Sequence, residues 1–209
     1  MLATITYMGF GTPFIYMGQE AGLTNCDFKN MDELKDPVSH FVYELMTGYG
    51  MPAKLAFHFI KYGARDHARV PMQWDDTVNG GFNKGHETWQ CTNPLYKEIN
   101  VKKDMESEKS IYRYYQKLLQ IKKNNETAVY GLTKEYDHNH HRIIAYSRTY
   151  HAGKLFIIGN FSKYPCTYRM PSEYKDAELL LNNYEVLDQK NLKIHLKPYQ
   201  ALVLEKKYM

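Results

Sequence analysis

Cysteine is scarce in this chain of 209 residues. Cys26, Cys91 and Cys166 are odd in number, far apart in sequence and free of any CxxC pair. That argues against a disulfide scaffold and against a structural zinc site. Long apolar runs are also missing: none approaches the roughly 20 residues that cross a bilayer. The N-terminus has no basic stretch ahead of an apolar core and no small-residue cleavage site, so it does not read as a signal peptide. Charge of one sign is not in excess either. The 27 Lys and Arg stand against 23 Asp and Glu, a net +4, and they are scattered, whereas a nucleic-acid binder would show a stripe. Gly80-Gly81 does not lead into a helix, so no phosphate loop is present. His138, His140 and His141 cluster at an expected hairpin turn, but no Cys or carboxylate pattern completes a metal shell around them. The expectations are no nucleic acid, no membrane, no cofactor and no metal.

What is present is ordinary globular material, 44% hydrophobic and 24% charged, with 19 Tyr and 9 Phe. That suffices for a sizeable core and for sugar-stacking surfaces. Leu2 to Met8 reads as apolar helix, stopped by Gly9 and Gly11. Pro13 to Met17 reads as a short strand buried on both faces, the habit of a parallel sheet. Nothing later in the chain supplies several more strands of that type. Asp36-Pro37 is a helix start, an Asx N-cap with Pro at the first helical position. Val38, Phe41, Val42 and Leu45 follow on one face. Pro52 opens a second helix, striped by Leu55, Ala56, Phe59 and Ile60.

Residues 64–105 lack regular periodicity and hold both tryptophans, Trp74 and Trp89. An irregular stretch of this length in a compact domain is usually functional. Residues 107–124 form the clearest helix, with Ile111, Tyr114, Tyr115, Leu118 and Ile121 at helical spacing. After Thr127 the texture becomes β-rich. Short runs at 143–149, 155–161, 179–181, 192–196 and 201–204 are separated by turn residues, the pattern of an antiparallel sandwich. A domain boundary falls near residue 126, giving 1–125 and 126–209.

The most informative segment is Arg65-Asp66-His67-Ala68-Arg69-Val70-Pro71-Met72-Gln73-Trp74-Asp75. It resembles the RDxAR-x-PMQWD signature of the α-glucosidases of glycoside hydrolase family 13, in particular the oligo-1,6-glucosidase branch. Three further stretches agree in order and spacing. Residues 11–25, Gly11 to Asn25, resemble that branch's GTPFIYQGEEIGMTN. Asn93 to Val101 resembles NPNYKEINV, and Pro198-Tyr199-Gln200-Ala201 resembles the closing PYEA. Four motifs in order cover essentially the whole chain. The departures are Met17 and Gln19, where the branch has glutamine and its first glutamate, and Val38, where many members carry Glu or a small polar residue. These bear on linkage preference.

The resemblance implies an α+β fragment: the last strand, long loop and helices of a (β/α)₈ barrel, followed by an antiparallel β-sandwich, domain C. It also implies a parent that cleaves short α-linked gluco-oligosaccharides with retention, in a soluble cytoplasmic setting. Retaining hydrolysis needs a nucleophilic carboxylate and an acid roughly 5–5.5 Å apart. Similar enzymes carry these on earlier strands, with a third Asp inside an Asn-His-Asp motif that this chain lacks; Asp137-His138-Asn139-His140 lies in the expected sandwich. No catalytic residue is therefore assigned here, and the chain alone is expected to be inactive.

Arg65 is assigned to substrate binding. In similar enzymes the Arg at this position pairs with an Asp from the front of the barrel, and together they hold the hydroxyls of the terminal glucose. Asp66, Arg69 and Asp75 read as loop braces and Trp74 as a core anchor. Glu20 has no second carboxylate at a catalytic spacing. Two other readings stand beside the first: part of a trehalose-6-phosphate hydrolase, and a non-catalytic sugar-binding or interaction module. A barrel remnant with uncovered apolar faces is also expected to associate with itself or a partner.

Overall fold

The β-rich half is built from short apolar runs separated by turns. In the computed structural model, which describes residues 1–207, chain contacts divide the protein into two units: residues 1–14 with 113–209, and residues 15–112. In the first unit, β1 (Leu132–Tyr136), β2 (Ile143–Tyr150), β3 (Gly153–Asn160), β5 (Glu178–Asn182) and β8 (Ala201–Lys207) form one antiparallel sheet, ordered β1-β2-β3-β8-β5. A second sheet has β7 (Lys193–Leu196) between β4 (Cys166–Arg169) and β6 (Gln189–Lys190).

Side chains on a strand alternate between faces. Phe156, Ile158, Leu202 and Leu204 therefore join Tyr168, Ile194 and Leu196 in a core shared by the two sheets. Leu155, Ile157 and Val203 point the other way. They meet Tyr7, Met8, Leu118 and Ala128 on three helices: α1 (Leu2–Tyr7), α5 (Ile111–Asn124) and α6 (Glu126–Tyr130). The middle of β3 is fully buried, because both of its faces are covered. The sandwich expected from the sequence is thus present, with β1, β4 and β6 in addition to the five runs that patterning picked out.

Two cations are buried against the helical face. Arg148 is 0% exposed and donates to three main-chain carbonyls, those of Met8 at 2.8 Å, Gly131 at 2.9 Å and Val129 at 3.3 Å. Lys122 donates to the carbonyls of Gly9 and Ala128, both at 2.7 Å. These acceptors lie at the C-terminal ends of α1 and α6, where helical carbonyls lack their own partners and carry partial negative charge. Burial, reinforced by the neighbouring Arg148 charge, lowers Lys122 from its ordinary 10.5 to about 8.

This has a pH signature. Between pH 8 and 10.5 the unfolded chain keeps a proton on Lys122 that the folded chain has lost, so stability rises with pH there. Burial raises Tyr114 to about 12. Above pH 10 the unfolded phenol ionises while the folded one does not, so stability falls. Thermal melts of the sheet signal should pass through a maximum between about pH 8 and 10, and Lys122→Met should flatten the rising limb. A midpoint falling steadily from pH 7 upward would contradict this assignment.

The second unit contains α2 (Pro37–Gly48), α3 (Ala53–Gly63) and α4 (Val101–Glu106), linked by irregular chain and single 3₁₀ turns. Its core joins Cys26, Phe28, Leu34, Ile60, Ala64 and Val70. The sequence expectation of one helix over 107–124 is corrected here. Helix α4 ends at Glu106 and α5 starts at Ile111. The carboxylate of Asp104 accepts from the Ile111 and Tyr112 amides and the Ser110 hydroxyl, each at 2.9 Å. It thereby satisfies the first two amides of α5 from seven residues upstream.

The expected last barrel strand also needs correction. Residues 13–17 have no ladder partner among the described residues. Phe14 is 86% exposed, and Tyr16 and Met17 are about half exposed. A parallel strand exists only through its neighbours. The apolar run is there, but no strand lies beside it to complete the sheet.

Candidate functional site

The site begins where α3 ends. Gly63 is its last residue, Ala64 turns extended, and residues Arg65–Arg69 make one 3₁₀ turn. This tight turn sends successive side chains in different directions. Asp66 goes inward and is 0% exposed. Its Oδ1 accepts from the Lys35 amide at 3.0 Å and from Gln90 Nε2 at 2.8 Å, and its Oδ2 from the Asp36 amide at 3.1 Å. One carboxylate therefore joins three chain segments more than 20 residues apart in sequence. The loop-bracing role expected for Asp66 is what the structure gives it.

Asp36 sits at the N-cap position of α2, with Pro37 next, as its sequence suggests, but its carboxylate does not cap the helix. It takes a two-pronged contact from Arg65, Nε to Oδ2 at 3.1 Å and an Nη to Oδ1 at 2.8 Å. Arg69 approaches Oδ1 at 3.4 Å. The Arg65 hydrogen bonds, ahead of the Arg65 and Arg69 charges, hold the Asp36 carboxyl below the usual carboxylate range. Arg65 is thus not left without an anion.

Its side chain is 59% exposed while that of Asp36 is 3% exposed. A guanidinium has five N–H donors in a fixed plane. Two are committed to a buried anchor, and the others remain available to an oxygen arriving from outside. Asp36 fixes the plane of the fork.

Downstream, Trp74 does not take the core position expected of it, and the neighbouring Gln73 takes it instead. Trp74 is 51% exposed and Gln73 is 0% exposed, so Trp74 is not a core anchor. Both amide atoms of Gln73 are without a hydrogen-bond partner among the described residues. The chain turns sharply here, with the amides of Trp74 and Asp75 both donating to the Gly80 carbonyl. Asn79, Gly80 and Gly81 all lie at positive φ. A Cβ on Gly81 would come within 2.7 Å of the Asp75 carboxylate. Asp75 itself binds Thr77, a brace as expected.

A cavity of about 300 Å³ lies beside the 3₁₀ turn that carries Arg65, lined by Tyr16, Met17, Tyr62, His67, Ala68 and Met72 among others. The Tyr16 hydroxyl donates to the Ala68 carbonyl. Glu20 accepts from the Gly18 amide at 2.9 Å and makes no contact with Arg65. His140 Nδ1 accepts from the amides of Arg142 and Ile143, which gives that residue of the histidine cluster a turn-holding function. Among the described residues no three His, Cys, Asp or Glu side chains gather as a metal site.

The motif singles out Arg65, but it does not identify the contact with Asp36 or that of Asp66 with Gln90. Asp36 was hidden by the strength of its Asp-Pro helix-start signal. Two arginines four residues apart, Arg65 and Arg69, were the available hint that an acid must lie close by.

The family description "Alpha amylase, catalytic domain" matches residues 1–131, and "Alpha-amylase SusG C-terminal domain" matches residues 143–203. The chain belongs to the alpha-amylase family. It is 42% identical to an oligo-1,6-glucosidase of Bacillus cereus over 99% of this chain and 38% of that protein. It is 34% identical to a trehalose-6-phosphate hydrolase of Bacillus subtilis, over 97% of this chain and 36% of that protein. Among solved structures, trehalose-6-phosphate hydrolase of Bacillus licheniformis superposes with a TM-score of 0.92 at 30% identity, covering 99% of this chain and 38% of that one. Trehalulose synthase from Pseudomonas mesoacidophila MX-45 gives 0.91 at 29%, covering 98% and 37%. The chain therefore spans less than two-fifths of the length of these relatives, and it corresponds to the end of the barrel and the C-terminal β domain.

Proposed function

We propose that this chain supplies the last loop, one substrate-holding arginine and the C-terminal β domain of a retaining α-glucosidase acting on short α-linked gluco-oligosaccharides. The observation that carries the reading is the Arg65 fork, anchored from behind by the buried Asp36 and open to solvent in front. Sugar hydroxyls accept hydrogen bonds from the free N–H groups, which fixes the terminal glucose relative to the scissile bond. A donor that stays charged and planar does this better than a flexible ammonium. The nucleophile and the general acid come from elsewhere in the assembled barrel, and this chain contributes orientation. The module boundary is placed near residue 126, and the compartment is the cytoplasm, in keeping with three free cysteines.

The test uses this chain assembled with the front of a relative's barrel. Arg65→Ala should lower kcat/KM on isomaltose by about 10²–10³-fold, and Arg65→Lys should recover only part of it. Unfolding midpoints would be checked in parallel. Unchanged kcat/KM in a well-folded Arg65→Ala protein would remove the reading. The match to trehalose-6-phosphate hydrolases favours a second substrate, and comparing isomaltose with trehalose 6-phosphate on the same assembly separates the two. The module reading predicts instead saturable binding of maltose or isomaltose to this chain alone, measured by calorimetric titration.

A further inference from the structure

Sequence spacing keeps Cys26 and Cys91 apart by 65 positions, yet their sulfurs are 3.1 Å from each other. Both are reduced. The proximity follows from two separate features of the chain. The Asn93 side chain, 1% exposed, donates to the carbonyls of Thr24 at 3.0 Å and Asn25 at 3.4 Å. This holds the segment after Cys91 against the segment before Cys26. Gln90, 2% exposed, is fixed by Asp66 and accepts from the Cys91 amide at 3.1 Å. Buried polar contacts thus hold the backbone on both sides of Cys91. A disulfide needs the sulfurs at about 2.05 Å, an approach of about 1 Å from where they stand. Cys26 is buried and Cys91 is half-buried, so an oxidant reaches Cys91 first.

We propose that Cys26 and Cys91 form a redox-active dithiol, which a disulfide oxidant of the oxidised-glutathione class converts into an intramolecular bond tying residues 24–28 to residues 90–93. In the first step the Cys91 sulfur, having given up its proton, attacks one sulfur of oxidised glutathione. The S–S bond of the oxidant breaks, and one glutathione leaves and takes up a proton. In the second step the Cys26 sulfur attacks the Cys91 sulfur of the mixed disulfide, and the second glutathione leaves in the same way. The protein loses two electrons and two hydrogens, and one oxidised glutathione becomes two reduced ones.

Burial raises Cys26 to about 12 and raises Cys91 as well, with the Glu33 carboxylate pushing both in that direction and Asp66 adding to it at Cys91. Because the thiolate is the attacking species, the reaction is slow at neutral pH and accelerates in base. The bond would close a loop that contains both α2 and the Arg65 turn, and so restrict the unfolded chain.

The experiment incubates the full chain with oxidised glutathione at pH 7 and pH 9, blocks free thiols with iodoacetamide and maps the peptides. The expected result is the loss of Cys26 and Cys91 as alkylatable thiols, with a crosslinked peptide joining them. Closure should be faster at pH 9. The unfolding midpoint should rise by roughly 5–10 °C, reversibly with dithiothreitol. Cys26→Ser should stop at a glutathione adduct on Cys91 with no such rise, and Cys166→Ser should leave the crosslink unchanged. Should Cys26→Ser fail to fold, the crosslink map of the unaltered chain decides by itself. Alkylatable Cys26 and Cys91 after treatment at both pH values, a persistent adduct on Cys91 in the unaltered chain, or a peptide crosslink from either to Cys166 would overturn the proposal.

Discussion

Asp66→Ala is expected to lower the unfolding free energy by about 3–5 kcal/mol. The carboxylate is fully buried and accepts three hydrogen bonds. Its removal strands two main-chain amides and the Gln90 amide away from water. Each such orphan costs about 1–3 kcal/mol, and neighbouring losses do not add fully. Asp66→Asn should fall in between, because the amide keeps one acceptor but faces a donor with a donor. Both tryptophans belong to the same unit as Asp66, so urea unfolding followed by their fluorescence reads the change. A loss below about 1 kcal/mol would mean that the three bonds are replaceable. Asp66 also fixes the amide of Asp36, the residue that aims Arg65. In the assembly with the front of a relative's barrel, the variant should therefore lower kcat/KM beyond its effect on folding.

Adding the front portion of the Bacillus cereus oligo-1,6-glucosidase barrel is expected to produce a one-to-one complex with this chain. Aryl α-glucoside hydrolysis should rise by at least about a thousandfold over either part alone, since the front portion brings the nucleophile and the acid and this chain brings the fork that orients the sugar for them. The physical basis is uncovered apolar surface. Phe41 is 64% exposed, Phe59 56% and Tyr62 63%, on helices whose other faces are already packed. Surface of this kind seeks a partner, and here the proposed occupant is the remainder of a catalytic domain. In its absence the same surface should drive self-association, visible as concentration-dependent mass in sedimentation. A monodisperse monomer that ignores the front portion would count against this.

The helices α2 and α3 and most of the sandwich were legible because their signals are local. Asp36-Pro37 and Pro52 mark starts, and short apolar runs between turn residues mark β2, β3 and β8. The 13–17 run carried the composition of a buried strand, yet composition states only what a segment can pair with, and the pairing depends on strands supplied elsewhere. Trp74 misled for a related reason. Large aromatics are usually buried, but here the neighbouring Gln73 takes the inward position. The start of α5 was misread because its cap comes from Asp104, seven residues ahead of Ile111. At the site, Arg65 was legible through a motif. Its anchor Asp36 lies 29 residues upstream, and the Cys26–Cys91 approach spans 65. Contacts of that range are set by the fold and leave no local trace.

The most direct measurement is the rate of aryl α-glucoside hydrolysis by this chain purified alone, at rising protein concentration. The account predicts no rate above buffer, because a substrate clamp without a nucleophile and an acid orients a bond that nothing then breaks. Turnover at enzyme-like rates, proportional to chain concentration and abolished by Arg65→Ala, would contradict it.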